Sequence, residues 1–127
     1  MTCRRAWVSI GFLHGRIATA LVLFTLITGV YGLVEYFRKK PVSPNYWGVI
    51  IVGNLLALVQ SALGAWMALN GARPERTVHI VYGIVAVLWI PIIQFISRSR
   101  SGRDETLVCA LVSLFEWLIA LRAFATA

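Results

Sequence analysis

The sequence predicts an all-α protein, an integral membrane four-helix bundle with up-down-up-down connections. Three observations carry that expectation. Hydrophobic residues make up 59% of the chain and charged residues only 13%, and a mean hydropathy of +0.78 lies far outside the composition of a soluble domain. Four stretches each supply the roughly 20 mostly apolar residues that a helix rising about 1.5 Å per residue needs to cross the hydrocarbon core. Between them stand short segments rich in charge, proline and glycine, and short connections make consecutive helices antiparallel neighbours.

The first stretch covers about 14–37 and is extendable back to Trp7. It stops at Arg38-Lys39-Lys40-Pro41-Val42-Ser43-Pro44-Asn45, where a charge cluster and two prolines break a helix. The second covers about 47–69, followed by Asn70-Gly71, a glycine where a C-terminal cap is expected. The third covers about 77–97, and Pro91 within it removes one backbone bond and predicts a kink. The fourth covers about 106–124; Asp104 and Glu105 precede it, where the helix dipole favours negative charge. Residues 1–127 thus read as a single transmembrane domain. Arg4 and Arg5 ahead of an apolar run imitate a secretory or twin-arginine signal. The run is too long for such a segment and no small-x-small cleavage site ends it, so it is expected to remain as the first span.

The net charge is +7, and the basic residues cluster between apolar segments, which suits a lipid bilayer with anionic head groups. No continuous basic face is present, so a nucleic-acid partner is not expected. Arg38, Lys39, Lys40, Arg98, Arg100 and Arg103 fall on one side of the membrane, and Arg4, Arg5, Arg16, Arg73, Arg76 and Arg122 on the other. The counts tie, but the first set is more concentrated, which places those loops in the cytoplasm and both termini outside a multi-pass plasma-membrane protein. Tyr36, Tyr46 and Trp47 read as an interfacial aromatic belt on the loop side, Trp7 and Trp66 as its counterpart. Trp89 and Trp117 read as packing aromatics within their spans. Cys3 and Cys109 form neither a disulfide frame nor a CxxCH motif, which excludes covalent attachment of a c-type haem.

His14 and His79 are the only two histidines. Helical spacing puts Ala18, Leu21, Thr25, Thr28 and Gly32 on the stripe of His14, and Gly83, Ala86, Ile90, Gln94 and Ser97 on that of His79. Gly53, Ala57, Ser61 and Ala65 line up on the second helix, with Asn54 and Gln60 nearby. Cys109, Ser113, Glu116, Ala120 and Ala123 line up on the fourth. Small and polar faces look inward in a membrane bundle, because close packing of helices needs them. The first and third spans run in the same direction with a histidine near each N-terminal end, His14 about a turn nearer the boundary. Two imidazoles facing inward at comparable depth are the geometry for axial ligation of a haem b iron. Ala18 and Gly83, one turn away, make room for the macrocycle. Arg16, Arg73 and Arg76 stand where propionates would lie. Glu116, the one carboxylate well inside a span, is expected to hydrogen-bond an axial histidine or to accept a quinol proton; a protonated acid bonded to a neighbouring helix, or an ion pair with Arg16, accounts for it equally.

The pair of histidines on parallel spans resembles the small four-helix membrane cytochromes b, broadly the cytochrome b561-like group. That resemblance implies electron transfer, with a quinone or quinol and other membrane redox subunits as partners, in a homo- or hetero-oligomer. The group commonly carries two haems on four histidines; His14 and His79 provide for one, near one surface.

Other readings stand beside it. A histidine near a membrane boundary is also an ordinary interfacial residue, and a single one holding a chlorophyll-type magnesium is a lesser alternative. Zinc fits poorly, since two histidines leave its tetrahedron unfilled. A cofactor-free structural or assembly subunit would use the small-residue faces to dock other helices, and a small proton-coupled transporter would use Glu116. No nucleophile–base pair, phosphate loop or metalloprotease signature points to a stand-alone enzyme.

Overall fold

The computed structural model describes residues 2–98 and 100–127, with the side chains of 2–8, 90, 91, 93, 94 and 98 outside the description. Four α-helices follow one another: α1 Thr2–Phe37, α2 Pro44–Leu69, α3 Val78–Arg98 and α4 Arg103–Phe124. No strand occurs among the described residues. Three segments are long and apolar enough to cross a membrane: Ser9–Phe37, Pro44–Leu69 and Arg103–Phe124. In α3 the apolar stretch read on described residues is the shorter Val78–Trp89.

Helix α1 begins at Thr2 rather than near His14, because nothing between Arg4 and Leu13 breaks a helix; His14 therefore sits about three turns inside it. Helix α2 begins at Pro44, which the sequence reading had left in the loop. A proline at the first helical position loses no bond, and the Ser43 hydroxyl caps the helix by accepting from the Tyr46 backbone N–H at 3.1 Å. Helix α3 continues through Pro91, whose side chain, like those of Ile90 and Gln94, lies outside the described residues.

Helices α1 and α2 end in the same motif on different residues. After α1, Lys40 N–H bonds Glu35 C=O and Lys39 N–H bonds Tyr36 C=O, both at 3.0 Å. After α2, Ala72 bonds Met67 at 3.0 Å and Gly71 bonds Ala68 at 3.1 Å. This double closure needs one residue in the left-handed region. Gly71 takes it at φ 92°, as the sequence led us to expect, whereas Lys39 takes it at φ 59°. An L side chain there costs roughly 1 kcal/mol or more. Lys39→Gly is therefore expected to stabilise the protein by about 1 kcal/mol, read as a higher unfolding midpoint in detergent.

Neighbouring helices meet antiparallel. At one end Thr106 of α4 donates to Lys40 C=O, just past α1, at 3.0 Å; midway Leu21, Ala57 and Ala120 share a cluster; at the other end His14 meets Gln60. Helix α3 packs on α4 and α2. Inside lie Thr25, Thr28, Cys109, Ser113 and Glu116, while Leu23, Ile27, Leu58 and Leu118 are exposed. That polarity, small and polar within and large and apolar without, is the reverse of a soluble core.

Tyr46 departs from the expected aromatic belt. It is fully buried, with Tyr31 edge-on at a centroid distance of 5.2 Å. The reason is Gly32: a Cβ there would lie 2.7 Å from Tyr46 Cζ and 2.8 Å from the Ala110 Cβ, so only glycine leaves the slot that the phenol fills. Tyr36 stays at the rim, half-buried under the Arg103 guanidinium 4.2 Å from its ring centre.

Candidate functional site

His14 on α1 and His79 on α3 meet near one end of the bundle, although α1 and α3 share no extensive packing. Their ring centroids are 6.1 Å apart and their planes are inclined by 68°. Although His14 sits about three turns inside α1 and His79 is the second residue of α3, the two rings come within reach of each other.

Each imidazole is held differently. His79 Nδ1 stands 2.8 Å from the Ala123 carbonyl; a carbonyl only accepts, so Nδ1 carries the hydrogen and Nε2 keeps its lone pair. Ala123 lies near the end of α4, where its carbonyl also accepts from the Thr126 backbone N–H and hydroxyl, each at 3.2 Å, so the His79 ring shares that oxygen with the closing turn of the helix. His14 Nε2 accepts from the Gln60 side-chain amide at 3.3 Å, while His14 Nδ1 and Gln60 Oε1 are buried without a partner. Gly64 completes the seat, since a Cβ there would lie 3.1 Å from His14 Cε1.

Both rings line one cavity of about 570 Å³, inside the roughly 300–1,000 Å³ range of cofactor pockets. Its walls are mainly apolar and come from all four helices, with Arg73 and Pro74 of the α2–α3 connection at the same end. Ala18, Gly83 and Ala86 keep the walls thin on α1 and α3, and a Cβ at Gly83 would meet nothing within 4 Å. The Ser61 hydroxyl donates to the Gly83 carbonyl at 3.4 Å, tying α2 to α3 at this wall.

Of the residues singled out in the sequence, His14, Ala18, Arg73, His79 and Gly83 come together here. Arg16, Arg76 and Glu116 are not among the lining. Arg16 is exposed, with its guanidinium 5.9 Å from the Phe12 ring centre, and Arg76 is exposed in the connection. Glu116 lies seven residues before Ala123 on α4, about 10 Å deeper at the helical rise, and lines a separate small cavity with Thr25, Thr28, Asn54 and Ser113. The rings bond elsewhere, His14 to the Gln60 amide and His79 to the Ala123 carbonyl. The sequence reading missed Gly64 and the Ala123 carbonyl. Gly64 had a signal, being three residues on from Ser61 along the small face of α2; a backbone carbonyl has none.

Among the described residues no group of three or more His, Cys, Asp or Glu side chains is placed to hold a metal ion. Comparison of the chain with protein-family models, with curated proteins and with solved structures finds no match.

Proposed function

We propose that the protein is a membrane b-type cytochrome that binds one haem b between His14 and His79 and transfers electrons. The observation that carries this reading is the spacing of the two rings. A metal held by both imidazoles through one nitrogen each would need their ring centres roughly 6 Å apart; the observed separation is 6.1 Å. The hydrogen bond from His79 Nδ1 to a backbone carbonyl supports it, because that bond fixes the tautomer with Nε2 as the ligand and raises its basicity. The other ring nitrogen of His14, Nδ1, is buried without a partner; it would offer a metal its lone pair with the Gln60 amide turned so that Oε1, also unpartnered, accepts from Nε2–H.

Haem b would supply reversible one-electron chemistry, and the chain's residues do the rest. His79 is held rigid by Ala123, and His14 is steadied by Gln60 and Gly64. The apolar walls exclude water, which favours the less charged redox state. Arg73 at the end of the cavity would pair with a propionate. In this reading all four helices span the bilayer up-down-up-down in the plasma membrane, α3 included. The donor is a quinol or a redox subunit, and both termini lie outside.

The test is reconstitution. Titrating the detergent-solubilised protein with haemin is expected to give one equivalent bound, a low-spin Soret band and a reducible α-band. A titration that yields only the broad spectrum of free or micelle-dissolved haemin sinks the reading.

A further inference from the structure

We infer that Glu116, with Thr25, Thr28, Ser113 and Asn54, forms a second site, separate from the histidine cavity, that holds one small monovalent cation: Na+ or a proton carried on water. The site does not depend on haem. It lies on the inner faces of α1, α2 and α4, about two helical turns from the histidine end.

Three observations converge. Glu116 is only 4% exposed, and its Oε1 is buried with no hydrogen-bond partner. It lines a cavity of about 10 Å³, close to the 10–15 Å³ that about one water-sized guest requires. The lining then offers acceptors and hardly any donors. The Thr25 hydroxyl donates to Leu21 C=O at 2.8 Å, Thr28 to Phe24 C=O at 2.8 Å and Ser113 to Cys109 C=O at 2.9 Å. Each hydroxyl hydrogen is thereby used within its own helix, and the oxygens are left with lone pairs. Asn54 can turn its amide oxygen the same way.

A pocket of oxygen acceptors with one carboxyl group calls for a guest that brings positive charge or hydrogens. Hard oxygen ligands suit an alkali cation, as they suit the divalent hard ions, and one carboxylate balances one unit of charge. No described lysine or arginine lines the cavity to do so instead. Among the lining residues, α1 and α2 bring only hydroxyl, amide and apolar groups, α4 brings the Cys109 thiol, and α3 contributes none of the described lining.

The test uses the full chain in detergent, without haem. Its unfolding temperature is followed as NaCl replaces choline chloride at constant ionic strength and fixed pH, and separately as pH is varied in choline chloride. If Na+ is the guest, it raises the midpoint and Glu116→Gln abolishes the response. If a hydrated proton is the guest, Na+ does nothing. A stabilisation by acid, absent from Glu116→Gln, then appears instead, and the infrared band of a protonated carboxylic acid is lost in alkali. Thr25→Val removes one oxygen at nearly constant volume. It is expected to weaken the Na+ response by about tenfold, the size of one ligand bond to a charge, and it reports even if Glu116→Gln does not fold. Identical Na+ and pH responses in the wild type and both variants overturn the site, as does a carboxylic-acid band indifferent to both.

Discussion

His79→Ala is expected to abolish haem uptake, weakening it by at least about 100-fold, whereas His14→Ala is expected to keep a weaker, five-coordinate haem. Loss of a mere supporting contact already costs roughly 10- to 100-fold in metal affinity, and loss of a ligand should exceed that. The inequality between the two variants follows from how the rings are anchored. His79 is tied to a backbone carbonyl at 2.8 Å, which cannot swing away without unwinding the end of α4. His14 is tied to a long side chain at 3.3 Å. The ring with the firmer support keeps its nitrogen aimed when its partner is gone. Optical spectra of the two variants after haemin titration check this, the five-coordinate form showing a high-spin band. Wild-type spectra in both variants would remove the pair from any role in ligation.

Gly32→Ala is expected to be the most damaging single-methyl change in the fold, costing about 2–3 kcal/mol as overpacking does in a filled interior. The new carbon would lie 2.8 Å from the Ala110 Cβ and 2.7 Å from Tyr46 Cζ. Neither neighbour is the loose end of a flexible chain: Ala110 is part of the α4 wall, and Tyr46 is fully buried. Gly48→Ala is the control, since a Cβ there meets nothing within 4 Å, and replacing a mid-helix glycine gains roughly 0.5–1 kcal/mol. Denaturant unfolding in mixed micelles should move the two variants in opposite directions. Equal midpoints would mean that α1, α2 and α4 are not packed as tightly as Tyr46 requires.

The inward faces were legible because they repeat. Thr25, Thr28 and Gly32 on α1, and Cys109, Ser113, Glu116 and Ala120 on α4, recur at helical spacing, and all are buried. The meeting of His14 and His79 was legible for the same reason, since parallel spans with a histidine near each start constrain depth. Chain direction, however, fixes depth only to about a turn, and the start of α1 was hidden because residues that neither break nor cap a helix leave no mark. Tyr46 was misplaced at the surface because a tyrosine near a span end is usually interfacial, and only the facing glycine on another helix reveals its slot. Glu116 was offered to the histidines because a carboxylate inside a span looks inward for a partner. Facing inward says nothing of the roughly 10 Å along α4 that separates it from the level of Ala123.

The two ends of the molecule are built unlike each other. Around Tyr46 the helices close on glycine and alanine with no slack, whereas around His14 and His79 they stand apart around a large apolar hollow. Such a taper divides the work along the axis: the tight end holds the helices in register, so under the proposed function a flat guest would find walls already assembled and would not be needed to assemble them.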